Sequence, residues 1–149
     1  MSNNAPIRLM TIGCGKTSAE RFFTRLADAG VKRLIDVRLS NQSQLAGFSK
    51  RDDLRYFTRV ICGAEYVHLP QLAPSSALFE AIKQTDDWVA YEKGFFDLMA
   101  HRRIEQTISR ELFQDGCLLC SEAAPEYCHR RLVAEYLQQH WGGINLTHL

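Results

Sequence analysis

Fourteen residues near the C-terminus, LLCSEAAPEYCHRR from Leu118 to Arg131, gather two thiols, a carboxylate, an imidazole and guanidinium groups. Side chains of these types can do several kinds of chemistry. A cysteine in the first turn of a helix has a lowered thiol pKa, so Cys128 could be a nucleophile, and a protonated His129 beside it would strengthen the effect. Cys120 is a second nucleophile candidate. Glu122 could serve as a base or as a ligand to an amine or hydroxyl. Arg130 could hold a phosphate or carboxylate through its planar fork. As a metal site the spacing Cys120-x7-Cys128-His129 is poor. Zinc sites pair their ligands two to four residues apart, and a fourth ligand would have to come from Cys14 or His68. A structural reading covers the same residues: a small buried cysteine, a histidine bonded to a loop carbonyl, and helix-surface ion pairs at Glu126/Arg130 and Arg131/Glu135, each four apart.

Two further stretches carry chemistry. Gly13-Cys14-Gly15-Lys16-Thr17-Ser18 looks like a phosphate loop, but Met10 stands where its first glycine belongs. A weaker role survives: a glycine turn feeding a helix N-terminus can hold an anion, and a tight turn with a helix cap is the alternative. In LIDVR, Asp36 and Arg38 sit two apart and so share one side of a strand. They could pair with each other, or Arg38 could grip an anion. The LIDVR pattern also occurs in rhodanese-type sulfurtransferases, yet Cys120 is followed by SEAAPE, without the glycines and early arginine of their loop. The Cys-x5-Arg loop of cysteine phosphatases fails too, because Glu126 occupies the arginine position.

The elements that must position these groups follow from periodicity. Ile7 to Ile12 reads as a buried strand, broken by Gly13. Thr17-x-x-Glu20 is a capping box that opens a helix with Phe22, Phe23, Leu26 and Ala27 on its apolar face, and Gly30 ends it. RLIDV is the second strand. Ser49-x-x-Asp52 opens a second helix, which stops at Gly63. Tyr66 to Leu69 is a third strand that ends at Pro70 and supplies His68. A helical insertion fills about 75–114, with Trp88, Phe95, Phe96 and Met99 as packing residues. CLLC is the fourth strand, Pro125 suits the first turn of the next helix, and INLTHL is the last strand. Strands alternating with helices predict an α/β fold: a single domain over 1–149, with a mostly parallel sheet of about five strands and helices on both faces, a three-layer sandwich. In such sheets ligands bind beyond the carboxyl ends of the strands. There the pattern collects Gly13, Cys14, Asp36, Arg38, His68, Cys120, Glu122, Cys128 and His129.

Composition limits the rest. The 149 residues are 46% hydrophobic and 23% charged, an ordinary balance for a globular chain. Net charge is +1, which gives little support to a nucleic-acid partner and none to an anionic membrane surface. The N-terminus lacks the pattern of a signal peptide, and no run approaches the roughly 18 apolar residues of a membrane span. A cytoplasmic location is expected. Five cysteines, an odd number without a secretion signal, argue against a disulfide framework, so reduced thiols are expected.

Taken together, TIG after strand one, LIDVR, a later G-F before a helix, Y-V-H-L-P, and above all L-L-C-S-E-x-x-P-x-x-C-H-R-R resemble the family called domain of unknown function 488. The resemblance runs from about Thr11 to Tyr136. It implies a compact α/β domain of a bacterial-type cytoplasmic protein. Its signature falls on Thr11, Gly13, Asp36, Arg38, Cys120, Glu122, Pro125, Cys128, His129 and Arg130. Cys14 and Gly15 stand where members often carry histidine and serine. Leu39-Ser40-Asn41 replaces a common proline, and Gln71-Leu72-Ala73 replaces a common glycine pair.

The reading that follows is a cleft at the strand ends that binds a small anionic ligand, such as a nucleotide, a nucleic-acid terminus or another phosphate-bearing compound. Gly13, Asp36, Arg38, His68 and Arg130 would form the binding groups, and Cys128, His129, Glu122 and Cys120 the chemical ones. No metal and no cofactor are expected, and the oligomeric state is left open. The alternatives are a cysteine-dependent enzyme of sulfur or acyl transfer, and a non-enzymatic nucleic-acid or protein interaction module.

Overall fold

The computed structural model describes residues 5–41, 47–122 and 128–149. Five strands form one sheet: β1 (Ile7–Gly13), β2 (Arg33–Asp36), β3 (Glu65–His68), β4 (Gly116–Cys120) and β5 (Ile144–His148). Their order is β3-β2-β4-β1-β5 and every pairing is parallel. The inner strands are buried on both faces, which is why β1 and β4 read as nearly continuous apolar runs.

Helices α1 (Ala19–Asp28) and α2 (Arg51–Cys62) cover one face. Phe22, Phe23, Leu26 and Leu54 pack there on Met10, Ile12, Leu34, Cys117 and Leu119. The other face is covered by α4 (Trp88–Arg102), the short α5 (Ile104–Thr107) and α6 (His129–Trp141), with α3 (Ser76–Thr85) packed on α4. Tyr91, Phe95, Met99, Leu132, Val133 and Tyr136 meet Leu9, Ile35, Leu118 and Cys120 on this side. The three-layer α/β arrangement is the expected one.

Local boundaries differ where capping chemistry differs. Ser18, not Thr17, caps α1 by accepting from the Arg21 N–H at 3.2 Å. Thr17 instead accepts from Arg25 at 3.3 Å. Helix α2 starts at Arg51 after a 3-10 turn, Gly47–Ser49, so Ser49 lies before the helix rather than at its cap. Gly63 ends α2 in the left-handed region (φ 64°), as a glycine stop should. Pro125 and Glu126, expected in the first turn of the last helix, lie outside the described residues.

The topology fixes where a site belongs. The chain leaves β1 through α1 on one face toward β2, and leaves β4 through α6 on the other face toward β5. Since β1 and β4 are neighbours, their C-terminal ends are the switch point, where diverging connections open a crevice. Gly13 pairs with Cys120 there, and the Cys14 N–H donates to the Cys120 carbonyl at 3.1 Å.

Candidate functional site

Side-chain alternation along the strands sorts the predicted site residues into two groups on opposite faces of the sheet. Asp36, Arg38 and Cys14 belong to the α1/α2 side. Thr11, Gly13 and Cys120, joined by Cys128, His129 and Arg130 from α6, belong to the α4/α6 side.

The first group is a closed polar knot. Arg38 grips Asp36 with both ends of its fork, Nε to Oδ1 and Nη2 to Oδ2, each at 2.8 Å. Both side chains are buried. Tyr66 donates its hydroxyl to Asp36 Oδ2 at 2.5 Å, and Asn41 donates to the Tyr66 oxygen at 3.3 Å. Burial, and then the Asp36 charge, push the Tyr66 hydroxyl pKa up. His68 donates to the Arg38 carbonyl at 3.0 Å, since a carbonyl only accepts. Asp36 and Arg38 therefore form the mutual ion pair through Nε and Nη2, while Nη1 faces Cys14. Cys14 lies 3.9 Å from Arg38 Nη1, and burial still raises its pKa.

The second group centres on Arg130, whose side chain is fully buried. Its Nε donates to the Thr11 hydroxyl at 3.3 Å, and its Nη1 to the Glu122 carbonyl at 2.6 Å. The same Nη1 lies 3.1 Å from Cys120 Sγ and 3.8 Å from Cys128 Sγ. Thr11 in turn meets His148 Nδ1 at 2.5 Å. Gly13 has a steric role here. A Cβ on it would fall 1.7 Å from the Glu122 carbonyl oxygen and 2.9 Å from Arg130 Nη1. The glycine lets the loop after β4 lie directly on β1.

The Cys120 and Cys128 sulfurs lie in direct contact, with their Cα atoms 7.3 Å apart, a wider span than the roughly 4.4–6.8 Å of a closed disulfide. One cysteine ends β4 and the other is the N-cap of α6, and both sulfurs lie near the same guanidinium. Cys14, Cys62 and Cys117 are free, and burial raises the pKa of each.

His129 is not the protonated neighbour that the sequence suggested. Its Nε2–H donates to the Val37 carbonyl at 2.5 Å, and burial lowers its pKa to about 4. The ring is neutral at physiological pH, with Nδ1 unprotonated. It contributes geometry and a potential acceptor, not positive charge.

A cavity of about 910 Å³ opens at this rim. Cys120, Ser121, Glu122, Cys128 and His129 form one side, with Arg38 and Ser40 beside them. Across from them stands an apolar wall from the helical segment and the loop before it: Phe79, Ile82, Trp88, Tyr91 and Pro74. Trp88 and Tyr91 stack with ring centroids 4.6 Å apart. Of the predicted residues, Arg38, Glu122, Cys120, Cys128 and His129 line the cavity. Arg130 lies behind the sulfurs, while Gly13, Asp36 and His68 support the rim. The wall residues Phe79, Lys83, Asp86 and Tyr91 were missed, because a helical stripe of aromatics reads as core. Among the described residues no three His, Cys, Asp or Glu side chains are arranged to hold a metal ion. No described helix is long and apolar enough to cross a membrane.

The family model described as domain of unknown function DUF488 matches residues 18–137. The chain belongs to that family. The match takes in α1 through most of α6, and hence Asp36, Arg38, Cys120, Cys128 and Arg130, while Thr11 and Gly13 lie just before it. Comparison with curated proteins and with solved structures finds no match.

Proposed function

We propose that this DUF488 member is a cysteine-dependent enzyme whose Cys120/Cys128 pair carries out thiol–disulfide exchange on a small molecule held in the strand-end cavity. One observation carries the reading: two sulfurs in contact line the cavity with a buried guanidinium nitrogen 3.1 and 3.8 Å from them. A fixed cation stabilises a thiolate over a thiol. Of the three free cysteines, Cys14 also lies near a guanidinium, 3.9 Å from Arg38 Nη1, but burial raises its pKa and those of Cys62 and Cys117. An anion held between Arg38 and Arg130 is the weaker reading, because both guanidiniums are engaged by Asp36, Thr11 and the Glu122 carbonyl.

The roles follow from position. Cys128 caps α6, where the helix dipole adds to the effect of Arg130, and it is the attacking thiolate. Its sulfur bonds to one sulfur of a substrate disulfide, and the other half leaves as a thiolate that takes a proton from water. Cys120 then loses its proton and attacks Cys128, releasing the second half as a thiol and closing the protein disulfide. A low-molecular-weight thiol, two equivalents per turnover, reduces the pair again.

The test is turnover of a small disulfide with a thiol reductant, measured for the wild type, Cys120→Ser and Cys128→Ser. Cys128→Ser should be inactive. Cys120→Ser should stall as a mixed disulfide on Cys128, visible by mass. Equal turnover in all three proteins would overturn the proposal.

A further inference from the structure

The thiol reading leaves the opposite side of the cavity unexplained. Two large apolar side chains that line the cavity, Leu39 and Phe79, remain 42% and 40% exposed. Apolar surface in a concave wall is where a ligand's apolar body is covered. Beside Phe79 stand two charges of opposite sign. Lys83 reaches over the Phe79 ring at 5.1 Å, and among the described residues its carboxylate contact is an exposed one with Glu80 at 3.7 Å, which holds it weakly. Asp86 follows the last residue of α3, in the left-handed conformation (φ 54°). A carboxylate there faces the negative end of the helix, where glycine or asparagine is favoured and a cation suits the dipole. Among the described residues the Asp86 carboxylate has no hydrogen-bond or ion-pair partner, and it lines the cavity. A residue that breaks the local rule without local compensation marks a functional position.

We infer that the cavity takes a zwitterionic, amino-acid-type sulfur compound with an apolar side chain. Its carboxylate pairs with Lys83, its ammonium with Asp86, its apolar body covers Phe79 and Leu39, and its sulfur faces Cys128. The charges agree with this class over a purely anionic one: Arg38 is already neutralised by Asp36, Lys83 stands against Asp86 and Glu122, and His129 is neutral. A cavity of about 910 Å³ accommodates such a compound with room to spare.

This inference names the substrate class for the thiol site and rests on that assignment, so its test must not depend on turnover. The double variant Cys120→Ser/Cys128→Ser removes the chemistry, and binding is measured on it by titration calorimetry. The probes are S-benzylcysteine, S-benzylthioglycolate (the anion alone), 2-(benzylthio)ethylamine (the cation alone) and S-methylcysteine (no apolar body). S-Benzylcysteine should bind best, by about tenfold or more over each of the others. Lys83→Ala should remove its advantage over the cation, and Asp86→Ala its advantage over the anion. Absence of saturable binding up to about 10 mM, or equal binding of zwitterion and anion, would overturn the inference. Binding with an inactive wild type would leave the ligand class standing and remove the thiol reaction alone.

Discussion

Replacing Gly13 by alanine tests how the site is held together. The new methyl would sit 1.7 Å from the Glu122 carbonyl oxygen, and backbone cannot swing aside as a flexible side chain does. Ordinary contact requires the loop to retreat by more than about 1 Å. That retreat breaks the 2.6 Å bond from Arg130 Nη1 to the Glu122 carbonyl. Overpacking costs about 1–3 kcal/mol, and loss of a hydrogen bond to a charged donor costs about 1.5–3 kcal/mol. A loss of about 3 kcal/mol is therefore expected, which for a chain of this size lowers the melting midpoint by about 6–12 °C. The assay is thermal and urea unfolding of the wild type and Gly13→Ala, with Gly47→Ala as the control. A Cβ on Gly47 meets nothing within 4 Å, so the control should stay within about 0.5 kcal/mol. Alkylation of the reduced proteins gives a second readout, because a displaced Arg130 no longer favours the Cys120 and Cys128 thiolates. A Gly13→Ala protein as stable as the control, with unchanged thiol reactivity, would refute the packing argument and return Gly13 to the role of an anion-binding turn.

Other expectations concern the surroundings of the site. Asp36→Asn leaves Arg38 buried without its carboxylate and should cost about 3–5 kcal/mol in urea unfolding. Tyr66→Phe removes one donor to the same carboxylate and should cost about 1 kcal/mol, with the ligand cavity unaffected. The His129 pKa, lowered to about 4 in the fold, makes the unfolded state bind more protons between the unfolded value near 6.5 and pH 4. Stability should then rise with pH through that window by at most about 1.4 kcal/mol per pH unit and level off above it. His129→Gln should remove that part of the pH dependence in unfolding titrations. Cys14, Cys62 and Cys117 should be alkylated more slowly at neutral pH than free cysteine, because burial raises each thiol pKa. Fast labelling of any of them would contradict the burial described.

Most of the fold was legible because its signals are local and strong. Buried runs at β1 and β4, glycine stops at Gly30 and Gly63, and helix periodicity between them fix an alternating parallel architecture. The strand-end rule then placed Cys120, Glu122, Cys128 and His129 beside a cavity. What could not be read was which face of the sheet each group occupies and how deeply it is buried. Asp36 and Arg38 stand two apart and pair with each other on the α1/α2 side beside Tyr66, while Arg38 also borders the cavity. Arg130 read either as an anion-binding group or as a helix-surface partner of Glu126, a residue outside the described ones. Instead its side chain is fully buried beneath the sulfurs, because it extends the inner stripe of α6. The contact of Cys120 with Cys128 depends on two elements meeting in space, which an odd cysteine count cannot reveal. Asp86 carried a local signal that was overlooked: an acidic residue just past the end of a helix.

The most direct test of the central claim is to equilibrate the native protein in glutathione buffers of graded oxidised-to-reduced ratio, trap the thiols, and map every cysteine by peptide mass spectrometry. A single reversible transition is expected, in which Cys120 and Cys128 become linked to each other with the loss of two hydrogens, while Cys14, Cys62 and Cys117 remain thiols. If Cys120 and Cys128 stay unlinked at every ratio, or pair with other cysteines, the dithiol centre proposed for this protein is contradicted.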